Sequence, residues 1–333
     1  MSIRVLHMGL GPIGAAIIRQ VANRQGFRSV GAVDIDPEKV GKDLGQVIGL
    51  DRKLKVTVSD DIRKAIKATK PDIVALCTSS SLEKVLPQIE AITKAKVPIV
   101  STTEELSYPY YSNKKLAKAI DKLARKAGVA ILGTGVNPGF VMDALPITLT
   151  GVCERVDTIH VDRIQDASIR RLPFQQKIGS GLTPDEFEDR VEAGTVRHVG
   201  LTESIAMIAD AMGWKLDRIT DEIKPKIASK PVSSQFLTVK KGQVCGIIQD
   251  GTGYRGGKAI VTLHMEAYLG APESFDAVRI EGSPALNMKV VGGVHGDVAT
   301  ASITVNSMPK VIAAPAGLHT MRSLPIPSFA GGK

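Results

Sequence analysis

Between residues 3 and 134, apolar runs of strand length alternate with segments of helical period, and the first run leads directly into Gly9-Leu10-Gly11-Pro12-Ile13-Gly14. The strand-like runs cover residues 3–9, 27–35, 54–58, 72–78, 97–102 and 129–134. The helical patterns cover 13–22, 61–68, 81–96 and 113–127. Strands this apolar must be covered on both faces, and helices between them supply the cover. That alternation predicts an α/β fold, a Rossmann-type doubly wound parallel sheet over residues 1–137.

Past Val136 the pattern changes. Asn137-Pro138-Gly139 reads as a turn, and residues 140–149 have helical period. Strand-like stretches follow at 156–163, 236–239, 258–268, 277–282, 287–292 and 300–305, interrupted by helical patterns at 183–193 and 202–212. This predicts a second α+β domain over 138–320 with a mixed or antiparallel sheet. Residues 321–333 form a tail, whose Pro- and Gly-rich end from 325 reads as a loose segment or an arm.

The glycine motif acquires chemistry from its position. Gly9 permits a tight turn after the strand, Gly11 lets backbone approach a pyrophosphate, and Gly14 lets the helix pack closely on the sheet. Pro12 and Ile13 open that helix, whose free N–H groups and positive dipole end favour phosphate. Asp34 closes the second strand twenty residues after Gly14, where a carboxylate accepts from ribose hydroxyls. A carboxylate there repels a 2′-phosphate, so the expected cofactor is NAD, with NADP as the alternative if Arg52 or Lys53 is recruited. A helix-start turn beside a surface Asp is the plainer alternative.

Ligands of such sheets bind beyond the carboxyl ends of the strands. Thr78, Ser79 and Ser80 end the fourth strand there and Thr102 the fifth, and small hydroxyls can bond a ribose or carboxamide. Helix capping by Ser80 or Ser81 is an equal reading. Glu104 and Glu105 come next. In extended backbone two adjacent side chains point opposite ways, so one of them faces the crevice. A carboxylate there can take up a proton from an attacking amine or stabilise a cationic intermediate. A solvated pair opening the Tyr108-Pro109-Tyr110 turn remains open.

Several segments together resemble a known family: residues 9–14, VDIDPEKVGKD at 33–43, TEELSYPYY at 103–111, LGTGVNPGF at 132–140, and the stretches 163–181 and 295–321. The amino-terminal half resembles the dihydrodipicolinate reductase superfamily. The whole chain is similar to 2,4-diaminopentanoate dehydrogenases and native NAD(P)H-dependent amine dehydrogenases. The resemblance implies reversible reductive amination of a small ketone or aldehyde with ammonia. Glu104 would be the catalytic carboxylate, with Glu105 in reserve. It also implies a homodimer, with the second domain supplying a pocket wall and the subunit contact. Dihydrodipicolinate reductase itself carries a His-His pair that is absent from this sequence, which disfavours its cyclic dicarboxylate substrate.

Candidates for the substrate pocket are Asn137, Pro138, Phe140, Met142, Arg163 and His264. Phe140 and Met142 read equally well as core. Arg170, Arg171 and Lys177, close after Arg163, suit a carboxylate clamp or exposed ion pairs. His295 and His264 are further acid–base candidates, whereas His7 lies inside the first strand. The six histidines and the cysteines at 77, 153 and 245 show no metal-ligand or CxxC spacing, so no metal is expected. Two other functions compete: a carbonyl or imine reductase independent of ammonia, and a non-catalytic NAD(H) sensor.

Composition narrows the setting. A chain of 333 residues suits two domains, and with 43% hydrophobic and 23% charged residues it has the balance of a globular protein. No apolar run approaches the roughly 20 residues needed to span a bilayer. The net charge of +9 comes from scattered residues, and aromatics are only 4%, which leaves little for base stacking. A basic balance can mean nucleic acid, an anionic surface or an anionic small ligand; nucleic-acid and membrane partners are not expected. The start at Ile3-Arg4-Val5-Leu6 and the dispersed cysteines suggest a cytoplasmic enzyme.

Overall fold

The structure is a computed structural model that describes residues 2–196 and 198–331. It divides into two compact units, Met1–Phe140 with His295–Lys333, and Val141–Val294. The change of pattern near residue 137 predicts a second domain running to 320. Instead the second unit ends at Val294, and the chain returns to the first.

In the first unit the order is β1 (Ile3–Met8), α1 (Pro12–Asn23), β2 (Phe27–Val33), α2 (Leu44–Val47), β3 (Val58–Ser59), α3 (Ile62–Thr69), β4 (Ile73–Leu76), α4 (Leu82–Lys94), β5 (Ile99–Ser101), α5 (Lys114–Ala127) and β6 (Ala130–Gly133). Among the described residues, these strands and β15 (Gly317–His319) form a seven-stranded sheet, ordered β15-β6-β5-β4-β1-β2-β3. Every neighbouring pair is parallel. The sheet is buried on both faces, as its apolar runs require. Leu6, Val74 and Ile99 pack with Val85, Ile89 and Ile120 of α4 and α5 in one core.

The second unit holds α6 (Ala144–Leu149), β7 (Arg155–Asp166), α7 (Leu172–Lys177), α8 (Pro184–Glu192), α9 (Leu201–Ala211), β8 (Arg218–Ile227), β9 (Val232–Ser233), β10 (Thr238–Val239), β11 (Val244–Arg255), β12 (Lys258–Tyr268), β13 (Phe275–Ser283) and β14 (Leu286–Val291). Its main sheet runs β14-β13-β7-β12-β11-β8, with β9 and β10 paired separately. Only β12 and β7 pair parallel in that sheet, so it is mixed.

The expected strand at 300–305 lies inside α10 (Gly296–Ala313), which belongs to the first unit. Its Thr-Ala-Ser-Ile-Thr-Val run has strand propensity. Packing overrides that preference, because α10 lies against α1 and contacts β4, β5 and β6. The tail is also tied down: Arg24 stacks over the Phe329 ring at 4.8 Å and donates to the Ala330 carbonyl, while Ala330 N–H donates to Asn306 Oδ1. A loose arm is therefore not what residues 325–331 form; the last two residues lie outside the described ones.

Candidate active site

The glycine turn sits between β1 and α1 at the carboxyl end of the sheet. Gly9 has φ +92, and a Cβ there would lie 2.5 Å from the Cys77 carbonyl oxygen. A Cβ on Gly14 would lie 2.0 Å from the Gly9 carbonyl oxygen, so this glycine closes the helix onto the turn. Gly11 differs: nothing lies within 4 Å of the place its Cβ would take. It is also the N-cap of α1 and makes no side-chain capping bond. Open space in front of uncapped helix N–H groups is what a bound pyrophosphate requires, so the turn fits a dinucleotide.

Asp34 holds the same turn in place. Its Oδ2 accepts from Leu10 N–H at 2.7 Å and its Oδ1 from Asp36 N–H at 3.0 Å. Lys39 Nζ lies 3.4 Å from Asp34 and 3.2 Å from Asp36. Burial opposes the Lys39 charge, but the hydrogen bond to Asp36 and the attraction of Asp34 outweigh it and raise its pKa. The sequence motif does not single out Lys39, yet it is the cation that pairs with Asp34. Arg52 is engaged elsewhere, donating to the Ala22 carbonyl and to Asn23.

Beyond β4, Thr78 donates to Gln88 Oε1 at 2.6 Å, and Ser79 Oγ accepts from Ser81 N–H. Ser81 is the N-cap residue of α4 but makes no side-chain capping bond. Glu105 takes that part: its Oε2 accepts from Leu82 N–H at 2.7 Å, and its own N–H donates to the Ser80 carbonyl. Thr102 N–H donates to the Leu76 carbonyl. Burial pushes the neighbouring Cys77 thiol up to about 11, and its hydrogen bonds to Thr102 pull the other way.

Glu104 opens a 3-10 turn, Glu104–Leu106, instead of continuing β5. Three features fix it. The fully buried Ser101 Oγ donates to the Leu76 carbonyl at 2.9 Å, lies 2.9 Å from Thr103 Oγ1 and accepts from Thr103 N–H, locking the residues before the turn. Ser107 Oγ donates to the Glu104 carbonyl. Behind the turn, a Cβ on Gly133 would lie 2.4 Å from Leu106 backbone, so only glycine lets β6 approach so closely. Ser101, Thr103 and Gly133 are thus positioning residues that motif reading passes over, although each sits inside a segment it singles out.

Pocket candidates separate. Asn137 and Phe140 are partly exposed and Pro138 is buried, in the segment after β6, and Val136 N–H in that segment donates to Thr300 Oγ1 of α10. Met142 is fully buried in the second unit, which favours its reading as core. Arg163 is 2% exposed. Its guanidinium pairs with Asp276 at 2.5 Å and donates to the Val294 carbonyl, and Asp276 Oδ2 in turn accepts from Val294 N–H. That geometry makes Arg163 a structural clamp on the last residue of the second unit, not a substrate-binding group. Burial lowers its pKa and Asp276 offsets this. Arg170 is also mostly buried, its guanidinium 4.1 Å above the Phe174 ring, so it is no solvent-exposed ion pair.

His264 lies on one face of the six-stranded sheet in a charged network. Its Nδ1 is 2.6 Å from Asp250, its Nε2 3.3 Å from Glu266, and Glu266 accepts from Lys226. His295 caps α10, accepting from Val298 N–H. His7 is buried in β1 with Nε2 2.9 Å from Ser29 Oγ, and burial lowers its pKa to about 3.

Sheet and glycine turn together define a Rossmann-type dinucleotide-binding protein. Residues 3–133 match the family model for the dihydrodipicolinate reductase N-terminus, and residues 140–332 match that for the 2,4-diaminopentanoate dehydrogenase C-terminal domain. Over 332 residues the sequence is 35% identical to 2,4-diaminopentanoate dehydrogenase from Acetoanaerobium sticklandii, covering 98% of this chain and 94% of that one. The chain belongs to the 2,4-diaminopentanoate dehydrogenase family and is an NAD(P)-dependent oxidoreductase acting on amines. An amine dehydrogenase from Streptomyces virginiae is 27% identical over 69% of this chain and 64% of its own. The solved amine dehydrogenase from Mycobacterium smegmatis superposes with a TM-score of 0.87 at 26% identity, covering 99% of this chain and 98% of that chain. The second family model runs unbroken through residues that fold back into the first unit, so ancestry and compactness divide this chain differently.

Proposed function

We infer that this enzyme catalyses the reversible reductive amination of a small ketone or aldehyde with ammonia, and that Glu104 is its catalytic carboxylate. The observation that carries the reading is the 3-10 turn that holds Glu104 at the carboxyl end of β5, in the unit that also bears the dinucleotide turn.

In the forward direction ammonia adds to the carbonyl carbon. A proton from solvent converts the carbonyl oxygen to a hydroxyl, and the Glu104 carboxylate takes a proton from the attacking nitrogen and returns it to that hydroxyl, which leaves as water. Its negative charge favours the resulting iminium cation over the neutral carbonyl. A bound nicotinamide would supply the hydride that completes the amine. Residues 9–14 would hold its pyrophosphate and Asp34 its ribose, and Thr78, Ser79, Ser80 and Thr102 would offer hydroxyls or backbone groups along the same strand ends. Asn137, Pro138 and Phe140 border the substrate, and His264 is the remaining acid–base candidate of the second unit. The enzyme acts as a homodimer in the cytoplasm, a setting that suits three free cysteines.

The test is NADH oxidation over a panel of small ketones and aldehydes, with and without ammonium. Oxidation that requires ammonium supports the reading. Equal rates without ammonium replace it with simple carbonyl reduction, and NADH binding without turnover replaces it with a sensor. A narrower substrate, 2,4-diaminopentanoate itself, is favoured by the 35% identity to the enzyme that bears that name. NAD⁺ reduction by 2,4-diaminopentanoate but not by simple amines would select it.

A further inference from the structure

The parallel sheet of the first unit has two ends, and the dinucleotide turn and Glu104 account for one. At the other, ahead of β4 and β5, lies a cavity of about 690 Å³ between α3 and α4. That is the size of a small-molecule site. Arg63, Lys67, Lys70, Lys94 and Lys96 line it, and no carboxylate does among the described residues.

These cations are not neutralised locally. Among the described residues none of the five takes part in an ion pair, and the neighbouring Asp61 pairs with Lys64 while capping α3. The carbonyls at the C-terminus of α3 would oppose an anion, being the negative end of the helix dipole. Arg4 covers them, its guanidinium donating to the carbonyls of Thr69 and Lys70. Asp72 is occupied in turn by Arg4 N–H at 2.8 Å.

Backbone geometry supplies a second, independent observation. Lys70 and Lys96, which follow the two flanking helices, adopt left-handed φ values of +45 and +57. Glycine ordinarily fills such positions, since a Cβ there is strained. Beneath them Ile66 and Val97 are buried in the core and give the cavity an apolar floor. The lining holds no aromatic side chain, so there is no platform for stacked bases.

We propose that this cavity binds a small anion bearing a chain of phosphoryl groups, separately from the dinucleotide site. Several charges within one cavity demand a multivalent partner, and lysine and arginine donors form charge-assisted hydrogen bonds with phosphate oxygens.

The experiment titrates inorganic tripolyphosphate into the full-length protein, already saturated with NADH, by calorimetry. Prior saturation keeps the pyrophosphate turn out of the measurement. The comparison is the double variant Lys70→Gly/Lys96→Gly, which removes two charges and suits the left-handed backbone, so it should fold and bind NADH as before. Saturable one-to-one binding is expected, weakening with salt and at least about tenfold weaker in the variant. ATP should displace tripolyphosphate, because its phosphate chain is the same. Absence of saturable binding overturns the proposal, as does equal binding by the variant. A short DNA duplex that displaces tripolyphosphate at lower concentration than ATP also overturns it, in favour of a nucleic-acid surface.

Discussion

The carboxylate of Glu105 accepts from the backbone N–H of Leu82 at 2.7 Å, closing the N-terminus of α4 from a turn 23 residues away. The two adjacent acids of the Thr103-Glu104-Glu105-Leu106 segment therefore do different things. Glu105 is a helix cap. Glu104, one position earlier, opens the 3-10 turn and is the carboxylate proposed for catalysis.

This division predicts opposite phenotypes. Glu104→Gln should lower kcat by about 10²- to 10⁴-fold, the usual worth of a positioned proton-transfer group, and leave the melting temperature unchanged. Glu105→Ala should cost about 1 kcal/mol of stability, the usual worth of an N-cap, with a small change in kcat. Thermal melts and steady-state rates on both variants decide it. If Glu105→Ala were the inactive protein and Glu104→Gln the active one, the assignment would be reversed.

Within the glycine turn, space and not sequence order determines the outcome of substitution. Gly11→Ala places its methyl in open space and should leave the unliganded protein as stable as the parent, while NADH affinity falls by about tenfold or more. Gly14→Ala drives a methyl into the Gly9 carbonyl and should destabilise the fold by several kcal/mol, in the manner of overpacking. Chemical denaturation without cofactor, followed by NADH titration, separates the two. Loss of stability in Gly11→Ala would contradict an open cradle.

Asp34 meets Lys39 beside the Leu10 N–H, and if Asp34 receives the ribose as proposed, this charge pair sets cofactor choice. The parent enzyme should favour NADH over NADPH. Asp34→Ala removes the charge that repels a 2′-phosphate and releases Lys39 toward it. The ratio of kcat/KM for NADH to that for NADPH should fall by about tenfold, one charge-assisted contact in free energy. An unchanged ratio would show that the adenosine ribose lies elsewhere.

His7 gives a pH signature unrelated to catalysis. Its pKa is about 3 in the folded protein, lowered by burial, against about 6.5 for an exposed imidazole. Between those values the unfolded chain binds the extra proton, so stability rises with pH. It is lost as pH falls from about 6.5 toward 3, by at most about 1.4 kcal/mol per pH unit. His7→Gln removes that dependence. Urea denaturation at several pH values should give a shallower slope for the variant; parallel slopes would assign the acid sensitivity to other groups.

Much of the cofactor unit is legible in the sequence because its strands are buried on both faces and therefore read as unbroken apolar runs. The second sheet is harder. β8 carries Asp221, Glu222 and Lys224 around Pro225 and lies at a sheet edge, where charge and proline are tolerated. β11 is interrupted by Gly251 and Gly253, whose missing side chains admit Ile205 of α9. Neither has a strand's usual signature. In the candidate site, motif spacing singles out Gly9 and Asp34; it leaves Glu104 and Glu105 undecided, and only the family resemblance selects Glu104. It does not find the Glu105 cap, the Lys39 partner or the Arg163–Asp276 pair, which exist only once distant segments meet.

The return of residues 295–331 to the first unit also bears on biosynthesis. β15 is an edge strand of the cofactor sheet and α10 lies against the helix that carries the glycine turn. The unit that begins with β1 thus waits for β15, about 300 residues further along the chain, before its sheet is complete. A chain released early would carry every glycine of the dinucleotide turn and still lack the layer that supports it.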